Sequence, residues 1–423
     1  MAANTEGWSV PVTVVRSPGG IPAWLIQDAT VPVFALAFTF LDAGAAADPA
    51  GREGLAGLAA GLLTQGAGAL SATQFQDRLR DSATSLSFTA GRETVSGSLR
   101  ALSANADEAA RLLAMALGEP RFDAAELGRV RAGRLAMLKQ EANAPRAAAS
   151  RLWWEKAFPE NAFGRQPLGT EAGLGAIERD DLRGFVAGRL SRARLVVAAA
   201  GALDAASLGR IVDAAFLKLP AAAPPAIVVP ARPGAFPLAL ARLAAPQSAV
   251  AFGQPALSLD DPDWDAQLVV NRILAGGGFS SRLMDEVREK RGLSYGIGAQ
   301  IVPFGERNAL ILGATATENA RLAATLGVLR EVWAGFAAEG PTAPELDDAR
   351  AYLAGSFPLA FTSTPEIARS LVSLQLAARP PDWLEGRLAR LAAVDLDRAR
   401  AVARRLYDPA ALSIAVAGDP AGL

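Results

Sequence analysis

The sequence predicts an α+β protein in which one domain is used twice. Three observations carry this. A proline-rich segment splits the 423 residues into halves of about equal length, short segments of the first half recur in the second, and each half alternates amphipathic helices with strand pairs. The divider is LPAAAPPAIVVPARPGAFPL, Leu219 to Leu238, where six prolines in twenty residues exclude a continuous helix or central strand. The expected organisation is therefore a first domain over 1–219, a linker over 220–238 and a second domain over 239–423.

Three segment pairs carry the repeat. TSLSFTAG from Thr84 matches RGLSYGIG from Arg291, FDAAELGRVRAGRLA from Phe122 matches PTAPELDDARAYLAG from Pro341, and LVVAAAGALD from Leu195 matches LSIAVAGDP from Leu412. Their offsets, about 207, 219 and 217 residues, fit a duplication with one modest insertion rather than a solenoid of many short units. In SYGIGAQIVPFGERNALILGA the turn around Gly305 has room only for a hairpin, which favours antiparallel pairing. Long helices such as ENARLAATLGVLREVWAGFAAEG are expected to cover one face of each sheet.

Composition narrows the chemistry. A net charge of −1 without a sustained basic run argues against nucleic acid or membrane as partner and leaves proteins, peptides or small molecules. The chain has no cysteine and no histidine, so disulfides, iron–sulfur clusters, thiol nucleophiles and the usual zinc ligands are unavailable. The start MAANTEGWSVPVTVV lacks the basic end and apolar core of a signal peptide, which makes the cytoplasm the expectation for the chain as written; removal of a leader would make it the periplasm.

One stretch concentrates charge: SSRLMDEVREKRGLSYGIG, Ser280 to Gly298, preceded by Gly276, Gly277 and Gly278. Read alone, it is a helix with Leu283, Met284 and Val287 inward and a solvated charged face, ended by Gly292, with the Tyr295 ring entering the core at the start of a strand. The glycines do not form a phosphate loop, because the GxxxxGK[ST] spacing and lysine are missing.

From Asp260 onward, DDPDWDAQLVVNRILAGGGFSSRLMDEVREKRGLSYGIGAQ resembles the C-terminal domain of the M16 family of zinc metallopeptidases, of the mitochondrial processing peptidase-like type, in the order helix, glycine-rich turn, SRL and REK-GL-Y. PLGTEAGLGAIERDDLRGF, Pro167 to Phe185, resembles the family's stretch after its metal-bearing helix, and the likeness runs from about Val12 to Gly418. It implies two homologous α+β domains, each with a mainly antiparallel, roughly six-stranded sheet flanked by helices. It also implies that two such units enclose an unfolded peptide between them.

The resemblance assigns roles. Arg288 and Tyr295, seven positions apart, fall where active assemblies have an arginine and a tyrosine that reach the zinc site of the opposing unit. A tyrosine hydroxyl can donate to an oxyanion, and an arginine fork can hold a carbonyl or carboxylate. Phe88, the first-half counterpart of Tyr295, keeps a ring without the hydroxyl, so the ring is expected to be what packing needs. Gly276, Gly277, Gly278 and Arg282 are expected to handle substrate; Arg282 competes with a role in securing the turn, and Arg291 is expected to face solvent.

The family's HxxEH zinc motif is degenerate. In GREGLAGLAAGLLTQGAG, Gly57 and Gly61 stand at the histidine positions and Ala60 at the glutamate; the third ligand position falls near Ala136, Met137 and Leu138, with Glu141 the nearest carboxylate. The chain is thus expected to hold no metal and to work as the non-zinc subunit of a heteromeric peptidase, inactive alone, with zinc supplied by an HxxEH-bearing partner. A catalytically silent scaffold, as the core subunits of the cytochrome bc1 complex resemble inactive M16 subunits, and a peptide-binding carrier are the alternatives.

Overall fold

The computed structural model describes residues 11–276 and 278–420. Its first half forms a six-stranded sheet from β1 (Thr13–Arg16), β2 (Pro22–Gln27), β3 (Val33–Leu41), β4 (Ser85–Ala90), β5 (Thr94–Leu102) and β6 (Leu195–Gly201), in the order β1-β2-β6-β3-β5-β4. The second half contributes β7 (Ala239–Arg242), β8 (Gln247–Pro255), β9 (Ile297–Phe304), β10 (Asn308–Glu318) and β11 (Ser413–Gly418), in the order β7-β11-β8-β10-β9. Without β1 the two orders coincide. In each sheet one pair is parallel, β2 with β6 and β7 with β11, and the other neighbours run antiparallel. The second sheet thus has five strands among the described residues, because β1 has no counterpart in it.

The repeat extends to side-chain detail. Phe38 on β3 lies opposite Gly97 on β5, and Phe252 on β8 lies opposite Gly313 on β10. A Cβ on Gly97 would fall 2.1 Å from the Phe38 ring, and one on Gly313 would fall 2.3 Å from the Phe252 ring. Each phenyl lies across a glycine, and any side chain there would displace it. Gly305, at φ 59°, turns the hairpin between β9 and β10, a left-handed conformation that suits glycine.

Each sheet packs its own helices on one face. The first core gathers the helices Leu55–Leu62, Ala106–Gly118 and Ala205–Phe216 against Phe34, Leu36, Phe38 and Phe40. The second gathers Trp264–Leu274, Leu322–Glu339 and Leu396–Leu406, with Trp333 donating to Gln254 (2.9 Å) and the Tyr407 hydroxyl to Asn271 (3.2 Å). These bonds satisfy polar groups that burial would otherwise penalise.

The opposite faces are covered by exchange. The Pro145–Ala157 helix of the first half lies on β8 and β11, and the Thr364–Leu376 helix of the second half lies on β3 and β6. The receiving faces are small: Ala249, Ala251, Ala415 and Ala417 in one sheet, Ala35, Ala37, Ala198 and Ala200 in the other. Small residues let a helix approach closely, and Trp153, Ile367 and Leu371 fill the gap. Trp153 Nε1 donates to the Ser413 carbonyl on β11 (3.2 Å), while Gln375 Nε2 donates to the Val197 carbonyl on β6 (3.0 Å).

Residues 220–238 contain no helix or strand, yet they are tied at intervals. Ser191 Oγ donates to the carbonyls of Pro220 (2.9 Å) and Ala222 (2.6 Å), Ile227 N donates to Asp42 (2.9 Å), and Phe236 N donates to Ser413 Oγ (3.0 Å). The hairpin turns of the two halves also meet. Glu93 accepts from Gly305 N (2.7 Å), and Arg194 bridges Asp42 (2.8 Å) and Glu306 (3.1 Å). Among the described residues no helix is long and apolar enough to cross a membrane.

Burial pushes the Glu93 carboxyl up to about 6, with the Asp42 charge adding to it against the bond from Gly305 and the Arg92 cation. An unfolded glutamate titrates near about 4.3. The fold therefore holds a proton that the unfolded chain releases between these values, so this contribution to stability is complete below about pH 4 and lost as pH rises through about 6. We predict that Glu93→Gln, which keeps an acceptor for Gly305, gains about 1–2 kcal/mol relative to the native chain between pH 4 and pH 7. Urea titrations at both pH values measure this; a pH-independent difference would contradict it.

Candidate functional site

The glycine turn follows the Trp264–Leu274 helix. Gly276 N donates to the Asn271 carbonyl (2.6 Å), and a Cβ at Gly276 would come within 3.0 Å of the Arg272 backbone, so the turn closes without room for a side chain. Gly278 adopts φ 58°, and Gly277 lies outside the described residues. Asn271 Nδ2 donates to the Ala299 carbonyl (3.1 Å), and Ala299 N donates to the Ala275 carbonyl (2.9 Å). The outer edge of β9 is thereby capped at Ala299.

The charged stretch begins as one helical turn, Arg282–Met284, and continues as a π-helical turn, Asp285–Glu289. Leu283, Met284 and Val287 face inward, and Gly292, at φ 57°, ends the segment with its N–H on the Arg288 carbonyl (2.9 Å). Lys290 pairs with Asp285 (2.8 Å) and Glu286 (2.6 Å), and Arg291 pairs with Glu286, which together hold the Glu286 carboxyl below its ordinary range.

Arg288 and Tyr295 meet. The Arg288 guanidinium lies 4.7 Å from the centre of the Tyr295 ring and 4.5 Å from that of Phe279, in contact with both aromatic groups. Among the described residues its only ion pair is with the neighbouring Glu289 (3.4 Å). Cation–π contacts of this kind contribute about 0.5–1 kcal/mol each at exposed sites and limit the rotamers of a long side chain. Tyr295 is 86% exposed, ring included. This overturns the expectation that its ring packs in the core: Phe88, its counterpart, lies within β4 against Phe38 (5.8 Å), whereas Tyr295 precedes β9 and points outward. Its neighbour Ser294 is buried and bonds to the carbonyls of Gly296 (3.0 Å) and Ala316 (2.8 Å) and to the Thr315 hydroxyl (2.7 Å). Thr317 holds the Leu293 carbonyl (2.5 Å). Buried hydroxyls thus fix the backbone from which an exposed tyrosine projects.

Arg282 is committed elsewhere. It forms a two-pronged pair with Glu345 (2.5 and 2.7 Å), donates to the Gly340 carbonyl (3.0 Å) and covers the Phe336 ring. Burial opposes ionisation of Glu345, but the bonds from Arg282 and Thr342 prevail and hold its carboxyl at about 2. Arg282 therefore secures the turn against the Ala343–Ser356 helix rather than presenting a free fork to substrate. Sequence reading missed Phe279, Ser294 and Thr315; an aromatic beside three glycines was the one available signal.

The degenerate zinc positions lie in the first core, on the buried Leu55–Leu62 helix. Asp48 caps its start, accepting from Gly54 N (2.8 Å) and Ala56 N (2.9 Å), and burial pushes this carboxyl up to about 6. Over Gly57 lies a cation: a Cβ there would be 2.0 Å from an Arg134 guanidinium nitrogen, and one at Gly61 would be 3.3 Å from Val130. Ala60 is buried beside them. Glu141, further along the helix of Arg134, accepts from Gln166 (2.6 Å). Among the described residues no group of three or more histidine, cysteine, aspartate or glutamate side chains could hold a metal. The residues present do not fit zinc, because the ligands are absent and a guanidinium occupies the space over Gly57.

We predict that Gly57→His forms no zinc site and costs about 1–3 kcal/mol of stability by overpacking against Arg134. Metal analysis and urea unfolding measure both effects. Adding Arg134→Ala should recover much of the lost stability, and no recovery would contradict the proposed steric conflict.

Comparison with known proteins agrees with this geometry. Residues 176–353 match the Peptidase M16 inactive domain family. An uncharacterized zinc protease of Streptomyces coelicolor is 34% identical over 254 residues, 58% of this chain and 55% of that protein. An uncharacterized zinc protease of Mycobacterium leprae is 27% identical over 270 residues, 62% of this chain and 60% of that protein, so the chain spans little more than half of either relative. A non-peptidase homolog of Helicobacter pylori is 27% identical over 80% of this chain and 78% of its own. The crystal structure of a peptidase M16 inactive domain from Pseudomonas fluorescens superposes with a TM-score of 0.89 at 27% identity, covering 97% of this chain and 98% of that one. In fold and over the matched segment, this chain is similar to the peptidase M16 inactive domain.

Proposed function

We propose that the chain is the non-zinc subunit of a heteromeric M16-type peptidase that hydrolyses unfolded peptides. The observation that carries this reading is the pairing of Arg288 with Tyr295: a guanidinium in contact with two aromatic rings, and a phenol exposed from a backbone pinned by buried hydroxyls. Packing has no use for an 86% exposed ring. In this reading the zinc and the water-activating glutamate belong to an HxxEH-bearing partner. Tyr295 donates its hydroxyl proton in a hydrogen bond to the oxyanion of the scissile carbonyl, and Arg288 holds a neighbouring carbonyl of the peptide. Donors fixed before substrate arrives need no reorganisation during reaction.

An unfolded peptide can add to a sheet edge. The capped edge of β9 speaks against that strand, whereas β4 is the outer strand of the first sheet and carries Ser85, Ser87 and Thr89 on its more exposed face.

A catalytically silent scaffold is the second reading, favoured by the name of the Helicobacter pylori relative, a non-peptidase homolog. A peptide carrier is the third. One experiment separates them. The chain and its HxxEH partner, co-purified from the native host, are assayed apart and mixed against an unfolded peptide. We predict that only the mixture is active and that Tyr295→Phe lowers its kcat by about 10²-fold, the usual effect of losing one oxyanion donor, with assembly intact by gel filtration. Full activity of the mutant mixture would exclude the role of Tyr295, and no activity in any mixture would favour the scaffold or the carrier.

A further inference from the structure

A cleft of about 550 Å³ runs between the exchanged Pro145–Ala157 helix and the second sheet. Its floor is level because three small residues align across three strands: Ala251 on β8, Ala314 on β10 and Gly298 on β9. Trp153 and Leu312 supply apolar wall. At one end it reaches Gly278 and Gly296, the residue after Tyr295, so it adjoins the Arg288–Tyr295 pair. A pocket of this size with apolar walls and few polar groups is the usual form of a ligand site.

Its electrostatics are one-sided. No carboxylate lines the cleft, and its single charged residue is Arg146, exposed, without a hydrogen bond or ion pair among the described residues. Arg146 lies in the first turn of a 13-residue helix whose start has no side-chain cap, so the helix dipole adds positive potential near it. By contrast Arg282, Arg194 and Arg390 are each bound to a carboxylate within the fold. Since β9 is capped at Ala299, a peptide here would cross the face of the sheet instead of extending it.

We propose that this cleft is a peptide subsite that takes a large apolar side chain together with an adjacent carboxylate, the apolar group on the Ala251–Ala314–Gly298 floor and the carboxylate on Arg146. The proposal rests on the reading that this face handles unfolded peptide, and it adds the substrate class: acidic at one position, apolar beside it. The carboxylate can be an aspartate side chain or the free carboxyl end of a peptide, and both present the same two oxygens to a guanidinium fork.

The test is binding to the full chain alone, independent of zinc or a partner. Fluorescein-labelled decapeptides of serine and glycine, amidated at the C-terminus, carry Leu-Asp, Leu-Asn or Ser-Asp at their centre; a fourth ends in leucine with a free carboxylate. Fluorescence anisotropy is expected to show the Leu-Asp or the free-leucine peptide binding at least ten-fold tighter than Leu-Asn and Ser-Asp, and which of the two does so identifies the source of the carboxylate. Arg146→Met should abolish that discrimination, Arg146→Lys should retain part of it, and Ala314→Phe, which fills the floor, should weaken binding of every leucine peptide. Circular dichroism checks that the variants are folded. Equal affinity for all peptides, no binding at all, or discrimination that survives Arg146→Met would overturn the proposal. The hydrolysis assay with a partner would still decide the role of Tyr295 separately.

Discussion

Two helices that each cover the other half's sheet hold this molecule together. A sheet packed on one face only would leave its second face in water, and in each half that second face is built of alanine. Ala35, Ala37, Ala198 and Ala200 accept the Thr364–Leu376 helix, and Ala249, Ala251, Ala415 and Ala417 accept Pro145–Ala157. Alanine contributes little apolar area by itself, so stabilisation comes from the larger groups that its small size admits, Trp153 and Leu371 among them. Neither half can bury both faces of its sheet alone. The linker reinforces this, since its backbone is bonded to Asp42 in one half and Ser413 in the other.

The candidate sites depend on that arrangement in different ways. The Arg288–Tyr295 pair stands on a local platform, where the Ser294 and Thr315 hydroxyls bond to each other, Ser294 also bonds to the Ala316 carbonyl, and Thr317 holds the Leu293 carbonyl. The cleft beside it exists only because a helix from the other half forms one wall. The degenerate metal position is different again. Arg134, whose guanidinium burial disfavours, lies over Gly57, with the Asp48 carboxylate offering partial compensation. A cation of the protein's own thus sits over the helix face that carries a metal in zinc-binding members of the family the chain resembles.

Much of this was legible in the chain. The duplication followed from three matched segments, and the strand orders repeat it. The hairpin at Gly305 was readable because a turn that short allows no other connection. The inward face of Leu283, Met284 and Val287 followed from helical spacing, although the turn is partly π-helical. Other points were not legible. Arg282 and Arg288 look alike in sequence, and only the position of Glu345, far along the chain, commits the first and leaves the second facing two rings. Tyr295 and Phe88 align in the repeat yet differ in burial, because the strand starts two residues later than Tyr295.

Local order, then, was written in the residues: where glycine must turn, where prolines forbid regular structure, which faces are apolar, and that no imidazole or thiol exists to bind zinc. These depend on steric rules and composition that hold along a short stretch of chain. The exchange of helices, the guanidinium over Gly57, and the meeting of Arg146 with a floor from three strands were decided by tertiary structure. Each requires contacts between residues far apart in sequence, and such contacts are selected by how faces of complementary size pack, which no short segment specifies.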